Sequence, residues 1–148
     1  MVQEAKRKGA VFGALVFCTL GLLGCSAPSS SVDFPLEPPA GAKVIYDGEI
    51  SRMATRVELD ILKGIDAKYK PVEGRIYSLP SGTQMEDVVA YFDRALPGWQ
   101  STGTKETSGA FVKAWTSGAR VVSIGFVEDE YSLDRNGGPT LVVQQSRR

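Results

Sequence analysis

Residues 110–127, AFVKAWTSGARVVSIGFV, decide the fold. Ala110–Thr116 and Ala119–Val127 each have the composition of a strand, and the tight turn Ser117-Gly118 lies between them. In the second run Val122, Ile124 and Phe126 alternate and form one buried face. Two strands joined by so short a turn pair antiparallel. Downstream, 128–138 is a polar loop containing Asn136-Gly137, and Thr140–Gln144 is a last strand. Upstream, TQMEDVVAYFDRALPGW (83–99) predicts a helix with Met85, Val88, Val89, Phe92 and Leu96 as its apolar stripe. Thr83 and Glu86 have the spacing of a capping box, and Pro97-Gly98 stops the helix before Trp99, a core plug.

Further upstream, Leu79-Pro80-Ser81-Gly82 breaks a strand over Val72–Leu79, with Ile76 and Tyr77 on opposite faces. In EISRMATRVELDILKGID, residues Ile50, Met53, Ala54, Val57, Ile61 and Ile65 share one helical face. This predicts a helix from Glu49 to Lys63, ended by Gly64. Val44-Ile45-Tyr46 is a short strand. The expected fold is α+β: an antiparallel sheet of four to five strands with two helices on one face.

The length of 148 residues fits one domain, and 43% hydrophobic with 23% charged residues is the balance of a globular chain. Basic and acidic residues number 17 each. The first 24 residues hold Lys6, Arg7 and Lys8 against Glu4, so the remainder carries a net charge of −2. That balance lacks the footprint of a nucleic-acid binder, and the basic residues are scattered along the chain, with no polybasic run for anionic lipid. Histidine is absent, which removes the usual general base and commonest metal ligand. The two cysteines, Cys18 and Cys25, both precede the globular part, so it holds no disulfide or cysteine-based metal site.

Lys6-Arg7-Lys8, the apolar or small run Gly9–Gly24 and a small-residue exit form an export signal too short to span a bilayer comfortably. Its end, Leu22-Leu23-Gly24-Cys25, resembles the lipobox of bacterial lipoproteins. The resemblance implies cleavage before Cys25, with Leu22, Leu23 and Gly24 as the flank, and lipid on the Cys25 thiol. An exported thiol otherwise needs a partner, and no cysteine follows Cys25. Ser26 stands where inner-membrane lipoproteins of Gram-negative bacteria often carry aspartate, so the resemblance points to the outer membrane in such a host. The expected organisation is a signal peptide over 1–24, a lipidated cysteine and Pro/Ser-rich tether over 25–42, and a globular domain over 43–148. In the tether, Pro28, Pro35, Pro38 and Pro39 block regular structure.

Leu79–Thr83, Tyr91-Phe92, Gly98-Trp99 and Trp115 together resemble a pattern in a group of small bacterial envelope or secreted proteins. These are fold-forming positions, and they carry no activity over to this chain.

No catalytic constellation is visible. Leu79–Thr83 differs from the sortase signal by exchange of its last two residues and reads as a turn and cap. Glu128-Asp129-Glu130, with Asp134 and Asn136, could offer oxygens to a hard cation such as calcium, but Asp134-x-Asn136-Gly137 is only a fragment of an EF-hand loop, with Val143 where its closing glutamate would stand, and the segment reads as a solvated acidic loop. Trp99, Trp115, Tyr77, Tyr91, Phe111 and Phe126 read as core. Tyr131, in a charged loop, is the candidate contact residue. No serine has a marked base beside it, and no phosphate or dinucleotide motif occurs, so neither an enzyme nor a cofactor is expected. The functional expectation is a lipid-anchored envelope protein on the extracytoplasmic side of the membrane. Its domain would bind an envelope protein partner or support an assembly, and not nucleic acid. The alternative is an envelope lipoprotein that holds a small ligand or inhibits an enzyme.

Overall fold

A computed structural model describes residues 35–46, 50–65, 67–107, 109–132 and 138–148. The elements are β1 (Lys43–Val44), α1 (Arg52–Asp60), β2 (Lys70–Ser78), α2 (Met85–Ala95), β3 (Gln100–Thr107), β4 (Ala110–Ser117), β5 (Arg120–Val127) and β6 (Thr140–Arg147). The six strands form one sheet in the order β1-β2-β6-β5-β4-β3, antiparallel at every pair. α1 connects the neighbours β1 and β2. α2 carries the chain from β2 to the far edge, and β3 to β6 return as a meander that ends against β2.

The α+β class and the antiparallel sheet agree with the sequence reading, but the sheet is larger than the expected four to five strands. The additional strand is β3, QSTGTKET, whose polar composition hides it. It is an edge strand, and its register slips between Thr102 and Thr104. Polar side chains and a slip are common ways to stop an edge recruiting another sheet.

The expected placement of both helices on one face is also corrected. Strand alternation assigns Val122, Ile124 and Phe126 of β5 to one face and Val121, Ser123, Gly125 and Val127 to the other. All seven are buried. The first set packs with Val88 and Phe92 of α2 and with Leu96, the residue that caps its C-terminus. On the opposite face Val127, with Val112 of β4 and Val142 of β6, packs under Ala54, Val57 and Ile61. The sheet is therefore the middle of three layers, because a strand buried on both sides needs cover on both sides. Gly125 sets how close α1 lies: a Cβ there would collide with Val57.

α1 begins where Ser51 caps it, the Ser51 hydroxyl accepting from Ala54 N–H at 2.9 Å. Gly64 does not end the helical path. It lies inside a π-helical turn, Ile61–Ile65, that continues from α1. In α2 the expected capping box is absent. Gln84 holds the N-cap position without a side-chain bond, and the Thr83 hydroxyl donates instead to Pro80 O at 2.6 Å, closing the turn. Trp115 Nε1 donates to Asp93 at 2.7 Å, and its ring stacks on Phe92 at 5.7 Å, which locks α2 to β4.

Pro35–Ala42, expected as tether, lies against the domain. Leu36 and Ala42 pack on the α2 core, and the Tyr91 hydroxyl donates to Glu37 O at 2.7 Å. Burial, then the nearby Glu37 carboxylate, raises the Tyr91 phenol above its ordinary 10.0. The strap contact is thus intact below pH 10 and weakens as pH rises through the raised value, where the phenolate can no longer donate.

Gly125→Val forces Val57 aside. It is expected to cost about 1–3 kcal/mol, read as a lower urea midpoint at unchanged slope. Tyr91→Phe removes one hydrogen bond. Amide exchange of residues 36–42 is expected to accelerate several-fold at neutral pH while the central strands keep their protection, and the alkaline loosening of the strap should disappear.

Candidate functional site

One end of the sheet gathers the C-termini of β3 and β5 and the N-termini of β4, β6 and α2. There α2 starts too late to cover the strand ends, and a cleft of about 380 Å³ remains between Gly82–Glu86 and the sheet. Its walls carry Glu86 from α2, Glu106 from β3, and Glu128 and Asp129 from the segment after β5. Its floor is the cross-strand pair Phe111 and Phe126, with Met85 at the side. The two rings are only 8% and 5% exposed, so the cleft is shallow and its accessible chemistry is carboxylate. Glu86 and Asp87 in the first turn of α2 are stabilised by the positive end of the helix dipole.

This arrangement accepts hydrogen bonds and positive charge. Of its lining residues only Thr83 carries a hydroxyl, and that hydroxyl donates to Pro80 O at 2.6 Å. Among the described residues no three carboxylates converge closely enough to hold a metal ion. The aromatic residues weighed as a groove are mostly core: Trp115, Trp99, Tyr77, Phe111 and Phe126 are buried and Tyr91 is half-buried.

Tyr131 ends a short 3-10 turn, Asp129–Tyr131, beside the cleft. It is 38% exposed, so part of the ring reaches solvent. The other part covers Gly109, where a Cβ would strike the ring and where φ is +75°. Glu128 N–H donates to Gly109 O at 3.2 Å, so the turn is held on the β3–β4 connection. Tyr131 is thus a partly exposed side chain with a packing role. Leu22, Leu23, Gly24 and Cys25 lie outside the described residues, as do Asp134 and Asn136. Sequence reading saw the Glu128-Asp129-Glu130 run but not its convergence with Glu86 and Glu106. That convergence depends on where α2 starts and on the register of the polar strand β3.

No protein-family model, curated protein or solved structure matches the chain. The reading of the domain therefore stands on its own residues.

Gly109→Ala combines left-handed backbone strain with a collision against Tyr131. It is expected to cost roughly 1–3 kcal/mol. Tyr131→Ala removes the collision, so the two changes should couple by about 0.5 kcal/mol or more in a double-mutant cycle of urea unfolding. Strict additivity would mean that the ring does not rest on Gly109.

Proposed function

We propose that the chain is a bacterial lipoprotein, anchored by lipid on Cys25 to the extracytoplasmic side of the cell envelope. Its folded domain is a non-catalytic binding or structural module. The observation that carries the reading is the order of the first 25 residues: a basic start, an apolar run, then Leu22-Leu23-Gly24-Cys25 with no later thiol. Two or more acyl chains give stable attachment where one gives only marginal binding. No helix among the described residues is long and apolar enough to cross a membrane, which is compatible with attachment through lipid. In a Gram-negative host, Ser26 directs the protein to the outer membrane.

The domain's part in this reading is recognition, presented by the carboxylate-walled cleft and by the partly exposed Tyr131. The packed aromatic core gives less support to the alternative of a small apolar ligand held between sheet and helices. Metabolic labelling with palmitate in a bacterial host should mark the wild-type chain and not Cys25→Ala. A labelled variant, or an unlabelled wild type, would overturn the anchor.

A further inference from the structure

The end of the sheet opposite the acidic cleft carries the opposite charge. Lys70 of β2 stands directly across from Arg147 of β6, and Arg147 directly across from Arg120 of β5. Three adjacent strands thus place a cation at one level. Arg148 N–H donates to Ala119 O at 2.8 Å, and the Arg148 guanidinium lies 5.3 Å from the centre of the Tyr69 ring. Lys68 precedes that tyrosine. Arg120 is half-buried with its guanidinium 5.7 Å from the Trp99 ring, while Lys68, Lys70, Arg147 and Arg148 are exposed. Five cations separated by up to 80 positions in the sequence therefore share one pole, although no stretch of sequence is polybasic.

Like charges directly opposite on neighbouring strands repel one another. Among the described residues, the ion pairs Arg75–Glu73, Lys105–Asp60 and Lys113–Asp93 do not draw on Lys68, Lys70 or Arg148. Glu73, the nearest described carboxylate on β2, is already bound to Arg75 at 2.6 Å. Beside the pole is a hollow of about 330 Å³ lined by Tyr69, Gln100, Thr116, Ser117 and Arg148. Residues bearing hydroxyl, amide and guanidinium groups around one polar recess offer donors suited to a phosphate group.

We propose that this pole is a docking surface for an anionic bilayer, with phospholipid headgroups on the cations and a headgroup phosphate in the hollow. The proposal rests on the lipid-anchor reading, which places a bilayer within reach. Ten residue steps separate Cys25 from Pro35, which limits their separation to roughly 30 Å. An eight-residue strand is roughly 27 Å long, so either end of the sheet can touch the membrane from that leash. The bilayer charge selects the basic end, and the acidic cleft then faces away from the lipid. A second copy, docking its acidic end on the basic end, is the competing occupant. The bilayer is favoured because an anchored chain is never away from it.

The test is amine footprinting of the lipidated full chain reconstituted in phosphatidylcholine vesicles with or without phosphatidylglycerol. With phosphatidylglycerol, Lys68 and Lys70 should acetylate several-fold more slowly, and high salt should restore their rate. Lys43 and Lys105, which lie on other parts of the domain, should not change. The exposed double variant Arg147→Glu/Arg148→Glu should lose most of the protection, with a urea midpoint no lower than that of the wild type. Equal labelling in both vesicles would overturn the proposal. So would protection in phosphatidylcholine alone that grows with protein density, which marks a second copy. Equal protection by inorganic phosphate without anionic lipid would likewise overturn it in favour of a free-anion site. The footprint is read on domain lysines and the palmitate label on Cys25, so failure of docking and failure of the anchor are distinguishable.

Discussion

β5 has no solvent face, and the rest of the architecture follows from that. From Val121 to Val127 every residue is buried, so each side of the strand needs its own cover. α2 and its cap supply it through Val88, Phe92 and Leu96, and α1 with the π-helical turn that follows supplies it through Ala54, Val57 and Ile61. The two covers differ in kind. On the α2 side the strand offers large side chains, and the contact is fixed by a directional bond from Trp115 to Asp93. On the α1 side it offers Ser123, Gly125 and valines, and the contact is fixed by closeness.

That difference explains what was legible in the sequence. Val122, Ile124 and Phe126 announce a buried face because they are large and alternate. The opposite row contains a serine and a glycine, which read as solvent-facing although they are small because a helix lies against them. The strongest helix, α2, was legible because Met85, Val88, Val89, Phe92 and Leu96 recur at helical spacing ahead of the Pro97-Gly98 stop. β3 was not, since an edge strand made of Gln, Ser, Thr, Lys and Glu has no hydrophobic period at all. The helix caps were misread for a local reason. Thr83 has the right spacing to cap α2, but its hydroxyl is taken by Pro80 one turn earlier.

The candidate surfaces were less legible than the fold. Single-chain reading sees charge as runs, and Glu128-Asp129-Glu130 is the only run in the domain long enough to notice. The acidic cleft adds Glu86 from a helix start and Glu106 from a strand end, and the basic pole assembles Lys70, Arg120 and Arg147 from three strand ends. An antiparallel sheet brings residues to one end from alternate chain directions. Residues distant in sequence then add their fields in one place. A chain with a formal net charge of zero becomes, once folded, an object with two oppositely charged ends.

The strap has a mechanical consequence. Any chain held by its N-terminus takes load from that end, and the strap is the most N-terminal of the described segments. Among the described residues the first bonds to bear it are the Tyr91–Glu37 hydrogen bond and the two-residue pairing of β1 with β2. A pull would open these one at a time, like a peeled strip, rather than shear the eight-residue strands together. Release of residues 35–44 would pay out about 30 Å of extra chain at roughly 3.3 Å per residue, with the remaining five strands still folded. The segment that seats the domain is therefore also a slack reserve, which yields before the core is loaded.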